Sequence, residues 1–341
     1  MLIYIVVTVG LACAVYLLRR HALGKVALML FTVTLCFTAL EVYYRFFYVR
    51  SDGFGRLSKN FAERYYQLDA HGLRASNLPP ASDKENVVVL GDSHVFGAGL
   101  KYPTERLSEQ LGMHYRHLHV INLGFSGWDT RTQTAKLVEH LGDTRARIPL
   151  VVLVYFFNDI EEDVTAADRE RLIPPVAVAE PTALDRFLQG ISNYSRFVEL
   201  FYYRIGYPRL VRDRLDQIRT FYHDPEILRC HLDSLEQLRA TARQRYSANV
   251  LVVLLPYLHS DELLNRVEFY ERFNRELVTR AFQTVDMQRV FARHGTSKLI
   301  VHRFDPHTNA FANQLTAAEV IRYLDARPEV LRANSDVQPR Q

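Results

Sequence analysis

Cysteine is scarce in this chain, with three residues in 341. Cys13, Cys36 and Cys230 form no CxxC pair and no Cys/His metal spacing, so a disulfide framework and a zinc module are both excluded. The net charge is a mild +4 with no Lys/Arg block, and no basic face for nucleic acid is read from it. No GxGxxG or Walker A loop occurs, which leaves nucleotide chemistry without its phosphate cradle. Internal repeats and low-complexity tracts are absent too. What is abundant is apolar: 48% of residues are hydrophobic, enough for the core of one large domain or two small ones.

The apolar residues concentrate first at the N-terminus. Leu2 to Leu18 is an uncharged run of about the minimum spanning length. Arg19, Arg20, His21 and Lys25 make a short basic loop, and a second run follows from Val26 to Leu40. Tyr43, Tyr44, Phe46, Phe47 and Tyr48 continue it with aromatic residues suited to a membrane–water interface. A cleaved signal peptide carries its basic residues before the apolar run, whereas here they follow it. The pattern predicts two transmembrane helices joined by a cytoplasmic loop, with the N-terminus and the rest of the chain outside the cytoplasm. Arg45, Arg50 and Arg56 on the far side soften that asymmetry. A helical hairpin packed on a soluble core is the alternative. Residues 49–86 read as a polar connector with Gly53, Gly55, Gly72 and the turn pair Pro79-Pro80, and with a short helix and turn over Phe61 to Leu73.

Beyond the connector, strand and helix patterns alternate. Val87 to Leu90 reads as a buried strand ending in Gly91-Asp92-Ser93, with helix-compatible sequence after a Gly-rich turn. Glu105 to Leu111 reads as a short helix, and Leu118 to Leu123 as a second strand ending at Gly124-Phe125-Ser126-Gly127. Thr130 to Leu141 has helical spacing, and Leu150 to Phe157 is the most hydrophobic strand, closed by Asn158-Asp159. Ile227, Leu228, Leu232, Leu235 and Leu238 form one helical stripe before a fourth strand, Asn249 to Leu255. A last helix covers about Ala310 to Leu324. Such repeated βα units predict an α/β domain with a parallel sheet covered by helices on both faces. Glu161 to Tyr222, rich in Arg, Tyr and Phe, interrupts the rhythm as a mainly helical insertion, either a lid or a packing elaboration.

Three strand ends therefore carry polar or glycine residues in chain order, namely Ser93, Gly127 and Asn158, and Asp305-Pro306-His307 comes late. With GDSH at 91–94, NLGFSG at 122–127, FFNDI at 156–160 and DPHTNA at 305–310, the chain resembles the SGNH (GDSL) family of esterases and acyltransferases, over roughly Val87 to Leu324. The resemblance implies a flavodoxin-like three-layer αβα sandwich over 87–330 and leaves the insertion at 161–222 unassigned; 331–341 reads as a polar tail. It implies Ser93 as nucleophile, His307 as base and Asp305 as its orienting acid. It also implies an oxyanion hole from the Ser93 N–H, the Gly127 N–H and the Asn158 amide, with no cofactor and no metal.

The chemistry is consistent with those residue types. A serine hydroxyl needs a base to remove its proton, and histidine titrates near operating pH. The family's usual last block is Asp-x-x-His, but here one residue separates the pair. In an extended segment i and i+2 face the same side, and Pro306 favours that form at Asp305. His302 is a rival base, assigned instead to the apolar run Leu299 to Phe304. Asp92-Ser93-His94 is similar to the opening of the metallophosphoesterases, but their GDxxD and GNH[DE] blocks are missing, so His94 is read as a wall of the site. Trp128 lines a sugar or acyl site or packs in the core, and Asp159 touches substrate or caps the next segment. The expected activity is hydrolysis of O-acyl esters, acetyl foremost, on a substrate that includes envelope or exported polysaccharide. O-acetyl transfer to such a glycan by the same site, and a non-catalytic envelope scaffold, are the alternatives.

Overall fold

In the computed structural model, the described residues are 2–52, 55–74, 84–144, 146–172, 183–265 and 268–332. The turn pair Pro79-Pro80, the proline pair at 174–175 and most of the polar tail lie outside them. Along the chain run α1 (Leu2–Leu18), α2 (Ala22–Val42), α3 (Lys59–Tyr65), β1 (Glu85–Gly91), α4 (Ser93–Phe96), α5 (Leu107–His114), β2 (Leu118–Gly124), α6 (Thr130–Leu141) and β3 (Leu150–Tyr155). Then come α7 (Ala166–Leu172), α8 (Ala183–Ser192), α9 (Arg196–His223), α10 (Pro225–Tyr246), β4 (Asn249–Leu254), α11 (Asp261–Asn265), α12 (Glu268–Thr279) and β5 (Gln283–Asp286). The chain closes with α13 (Gln288–Ala292), β6 (Ile300–His302), β7 (Asp305–Thr308) and α14 (Ala310–Asp325). Two compact units divide it: 1–50, 54–64 and 177–210 form one, and 51–53, 65–176 and 211–341 form the other.

The larger unit is an α/β fold. Its five-stranded sheet has the order β2-β1-β3-β4-β5, and all four strand pairings are parallel. Side chains alternate across it as a strand demands. Val88, Leu90, Ile121, Leu123, Val151, Leu153, Val250 and Val252 enter one core layer with Leu137 of α6, Ile218 and Phe221 of α9, and Leu235 of α10. Val87, Val89, Val152, Leu251 and Val253 enter the opposite layer with Leu111 of α5 and Val320 of α14. Both faces are covered, which is why these strands read as continuous apolar runs. Full burial of each such Val or Leu is worth about 1.5–3 kcal/mol. Two elements carry no strong sequence pattern: the four-residue β5, and the antiparallel β6–β7 hairpin that pairs His302 with Asp305.

Local chemistry sets the helix starts. Asp129 accepts from the Thr132 N–H at the head of α6, Asn309 from the Ala312 N–H at the head of α14, and Asp224 from the Glu226 and Ile227 N–H groups that follow Pro225 in α10. The turn at Ser93 departs from expectation: α4 starts on Ser93 itself, and the Gly-rich stretch follows the helix, with Gly97 ending it at φ +79°. Asp92 caps this turn through the His94 N–H at 2.9 Å, so strand, cap and helix meet without an intervening loop. The insertion is helical over its described parts, as α7, α8 and α9.

In the smaller unit α1 and α2 form a helical hairpin, tied by a 3.0 Å hydrogen bond between the Thr8 and Thr38 hydroxyls. Its outer surface is apolar: Leu17 is 73% exposed and Met29 is 59% exposed. Helix Ala22–Phe47 is long and apolar enough to cross a membrane by length and composition, and α1 is a shorter apolar helix. The one carboxylate of α2, Glu41, is buried and fully engaged. Arg45 donates to it at 2.6 Å, the Ser195 hydroxyl at 2.9 Å and the Phe197 N–H at 3.3 Å.

Candidate active site

The strand order fixes where a site belongs. In a 2-1-3-4-5 sheet the connections from β1 and β3 leave to opposite faces, and the crevice opens beyond the carboxyl ends of those strands. In register, Gly91 of β1 sits beside Gly124 of β2 and Val154 of β3. Ser93, Gly127 and Asn158 follow these ends by two or three residues. Gly124 has to be glycine: a Cβ there would meet the Phe96 nitrogen at 2.2 Å, because α4 crosses directly over the strand end. Asn122 supports α4 from below, donating to the Val95 carbonyl at 2.9 Å and the Ser108 hydroxyl at 2.6 Å. Gly127 has a φ of 85°, a left-handed conformation that glycine adopts without strain.

The hairpin brings the late motif to this edge. In β7 the Asp305 and His307 side chains share one side, and the His307 Nδ1 hydrogen-bonds Asp305 Oδ1. His307 Nε2 lies 2.8 Å from Ser93 Oγ. Ser93, His307 and Asp305 thus form one hydrogen-bonded line. Asp305 is completely buried, and its Oδ2 accepts the hydroxyl of Ser51, a connector residue that carried no sequence signal for such a place.

The electrostatics follow from burial and charge. Burial alone would lower the His307 pKa, but the Asp305 carboxylate beside it outweighs that and raises it. Burial would raise Asp305, but the His307 charge and the His307 and Ser51 hydrogen bonds hold it below the usual carboxylate value. Burial, with the His307 charge nearby, drives His94 well below the ordinary histidine range. His259 is pushed down to about 4 by burial, then by His307 and Arg214. His259 follows the carboxyl end of β4, a position that is the only sequence signal for it. Burial pushes Asp92 up to about 6, and burial plus the Asp92 charge pushes Asp159 well above the carboxylate range.

The remaining candidates separate clearly. His94 is buried, with Nδ1 3.3 Å from Thr308 Oγ1, and packs on Phe156 and His307 at ring distances of 4.7 and 5.1 Å. Its lowered pKa keeps it uncharged beside His307. Asn158 is half-buried at the start of the turn after β3, and its side-chain oxygen has no hydrogen-bond partner among the described residues. Trp128 stacks on Phe125 at 5.3 Å and packs against the core, which favours its packing role. Asp159 corrects the sequence reading: it is 1% exposed and turns inward to Gln133 at 3.2 Å and Thr130 at 3.4 Å, so it neither faces substrate nor caps a helix. His302 lies 3.9 Å from Asp52 and not on Ser93.

Among the described residues one group has metal-ligand character: Glu162, Asp163 and His231, with candidate ligand atoms within 4.8 Å of one another. Those atoms are engaged. His231 Nδ1 bonds Asp163 at 2.7 Å, His231 Nε2 bonds the Tyr155 hydroxyl at 2.7 Å, and Asp163 also accepts from Ser234 and Arg131. The group is a closed hydrogen-bond network.

No protein-family model and no curated protein matches the sequence. Solved structures resemble it only distantly. A lipolytic G-D-S-L family protein from Veillonella parvula shares 13% identity, with 71% of this chain and 99% of that one covered, at a TM-score of 0.41. A lipase/acylhydrolase from Enterococcus faecalis shares 14%, covering 75% and 99%, at 0.40. An acetylxylan esterase from Geobacillus stearothermophilus shares 13%, covering 76% and 100%, at 0.41.

Proposed function

We propose that this protein is a membrane-anchored serine esterase of SGNH type. Its reaction is cleavage of O-acyl esters, acetyl esters foremost, through an acyl-enzyme on Ser93. The observation that supports this is the continuous line from Ser93 Oγ through His307 to buried Asp305 at the carboxyl edge of the sheet. His307 Nε2 takes the Ser93 proton as Oγ bonds the ester carbonyl carbon. The carbonyl oxygen becomes an oxyanion, held by the Ser93 and Gly127 N–H groups and the Asn158 amide. Asp305 stabilises the imidazolium. The carbon–oxygen bond to the leaving alcohol then breaks, and His307 returns the proton to that oxygen. A water activated by His307 releases the acid and restores Ser93.

The apolar hairpin at the N-terminus supports anchoring in a membrane, with the α/β unit outside the cytoplasm. A reporter active only outside the cytoplasm, joined after residue 50, reads the side; its silence sinks that topology. An extracytoplasmic site fits esters on envelope or exported polysaccharide. The test of the reaction is hydrolysis of p-nitrophenyl acetate and of acetylated glycan by the full chain in detergent, beside its Ser93→Ala form. Turnover by the wild type and none by the variant is expected. Equal activity in both removes Ser93 as nucleophile. Acyl transfer to a sugar hydroxyl, with no release to water, moves the assignment to an O-acetyltransferase.

A further inference from the structure

Asp305 has two carboxylate oxygens, and the ester cleavage proposed for Ser93 uses one. The other, Oδ2, receives the Ser51 hydroxyl across 254 positions of sequence. Ser51 is 7% exposed and Asp305 is 0% exposed, so water does not satisfy this oxygen in place of the serine. An ionised carboxylate in such a setting needs donors on both oxygens. The space beside Oδ2 is also closed: a Cβ on Gly99 would lie 3.0 Å from it, and the Gly99 N–H is held by the Tyr66 hydroxyl at 2.7 Å. Arg74 secures the same loop, donating to the Gly97 carbonyl at 2.8 Å and to the Leu100 and Lys101 carbonyls at 3.0 Å. Connector residues therefore frame one side of Asp305.

We propose that Ser51 is a positioning residue of this centre, whose hydroxyl fixes the Asp305 carboxylate so that Oδ1 faces the His307 imidazole. The proposal rests on the esterase reading and extends it to the segment that directly follows the apolar helices in sequence. Two physical effects are involved. The hydrogen bond stops rotation of the carboxylate about Cβ–Cγ, and it spreads the negative charge of Asp305 over a second donor. Other titratable groups around the pair are Asp92, which acts on His307, Tyr66, which Asp305 raises, and His94 and His259, which sense His307. Asp92 is the only one of these four that bears negative charge near neutral pH, and it is unchanged by substitution at Ser51.

The experiment compares the full chain in detergent with Ser51→Ala and Ser51→Thr. Loss of the donor makes the Asp305–His307 pair bind its proton more tightly, so the acid limb of kcat/KM moves to higher pH, by roughly half to one unit. A fall in kcat of about 10- to 100-fold, with KM unchanged, accompanies it. Ser51→Thr, which keeps the hydroxyl, restores both. The same titration is read without turnover from the His307 imidazole resonances, whose midpoint rises in Ser51→Ala. An unmoved midpoint, or a raised KM with an unmoved acid limb, overturns the positioning role. Should Ser51→Ala fail to fold, Ser51→Cys gives the same readings with a poorer donor. If the midpoint moves but Ser93→Ala still hydrolyses ester, the esterase reading fails while the Ser51–Asp305–His307 coupling stands.

Discussion

His307 and His231 are each held through Nδ1 by a buried carboxylate, the first by Asp305 and the second by Asp163. The chemical pair is the same, yet the two imidazoles are tuned in opposite directions. His231 is fully buried, and that burial outweighs Asp163 and lowers its pKa. The His307 imidazole is 22% exposed, and Asp305 outweighs its desolvation and raises it. Their other nitrogens differ as well. His231 Nε2 ends on Tyr155, whose hydroxyl continues to Tyr222 and so into the core. His307 Nε2 ends on Ser93, a half-buried hydroxyl at the sheet edge. A His–Asp pair becomes a base only where its far nitrogen meets a group that can react; enclosed on every side, the same pair is a core brace.

The sharpest way to test that contrast is to make the same substitution in both. His307→Gln should lower ester hydrolysis by on the order of 10,000-fold, while the unfolding midpoint changes little. His231→Gln should leave turnover per folded molecule within about threefold and cost roughly 2 kcal/mol of stability, as Asp163 and Tyr155 lose partners. Denaturant titration beside initial-rate assays separates the two effects. A His231 variant that folds normally but loses its rate would break the comparison.

A smaller effect is expected at the oxyanion. Asn158→Ala should reduce kcat by about 100- to 1,000-fold with little change in KM, measured on the same ester. A purely packing role for Asn158 would instead show as lost stability with an intact rate.

The smallest effect is in pH dependence. Because the folded pKa of His307 is raised, its contribution to stability is present below about pH 6.5 and is lost as pH rises through the folded value. For His231 the folded pKa is lowered, so its contribution is present above about pH 6.5 and is lost as pH falls. His307→Gln should therefore steepen the loss of stability toward acid, and His231→Gln should flatten it. Activity of the wild type should decline with acid through a midpoint above that of an ordinary histidine, since only neutral His307 accepts the Ser93 proton.

The order of β-strands and covering helices was legible because strands buried on both faces leave apolar runs, such as Val87 to Leu90 and Leu150 to Tyr155, that read without a partner. The short β5 and the β6–β7 hairpin were not, since four residues give no period. Ser93, His307 and Asp305 were named through the resemblance of GDSH at 91–94 and DPHTNA at 305–310 to the SGNH blocks; the strand end before Ser93 and the extended form favoured by Pro306 only permitted the assignment. For Asp159 the sequence offered substrate contact or a cap, because adjacency to Asn158 does not say which way a side chain turns, and a short helical turn buries one of two neighbours.

By itself, then, the sequence determined the α/β class, the apolar N-terminal runs and the residue types of the candidate site, because hydrophobic periodicity and turn chemistry are local. Only the tertiary structure decided that Ser51 closes on Asp305, that His259 senses His307, and that His231 is a brace. Those facts depend on which groups share a low-dielectric space, and residues 254 positions apart come to share one only when the sheet edge and the connector fold against each other.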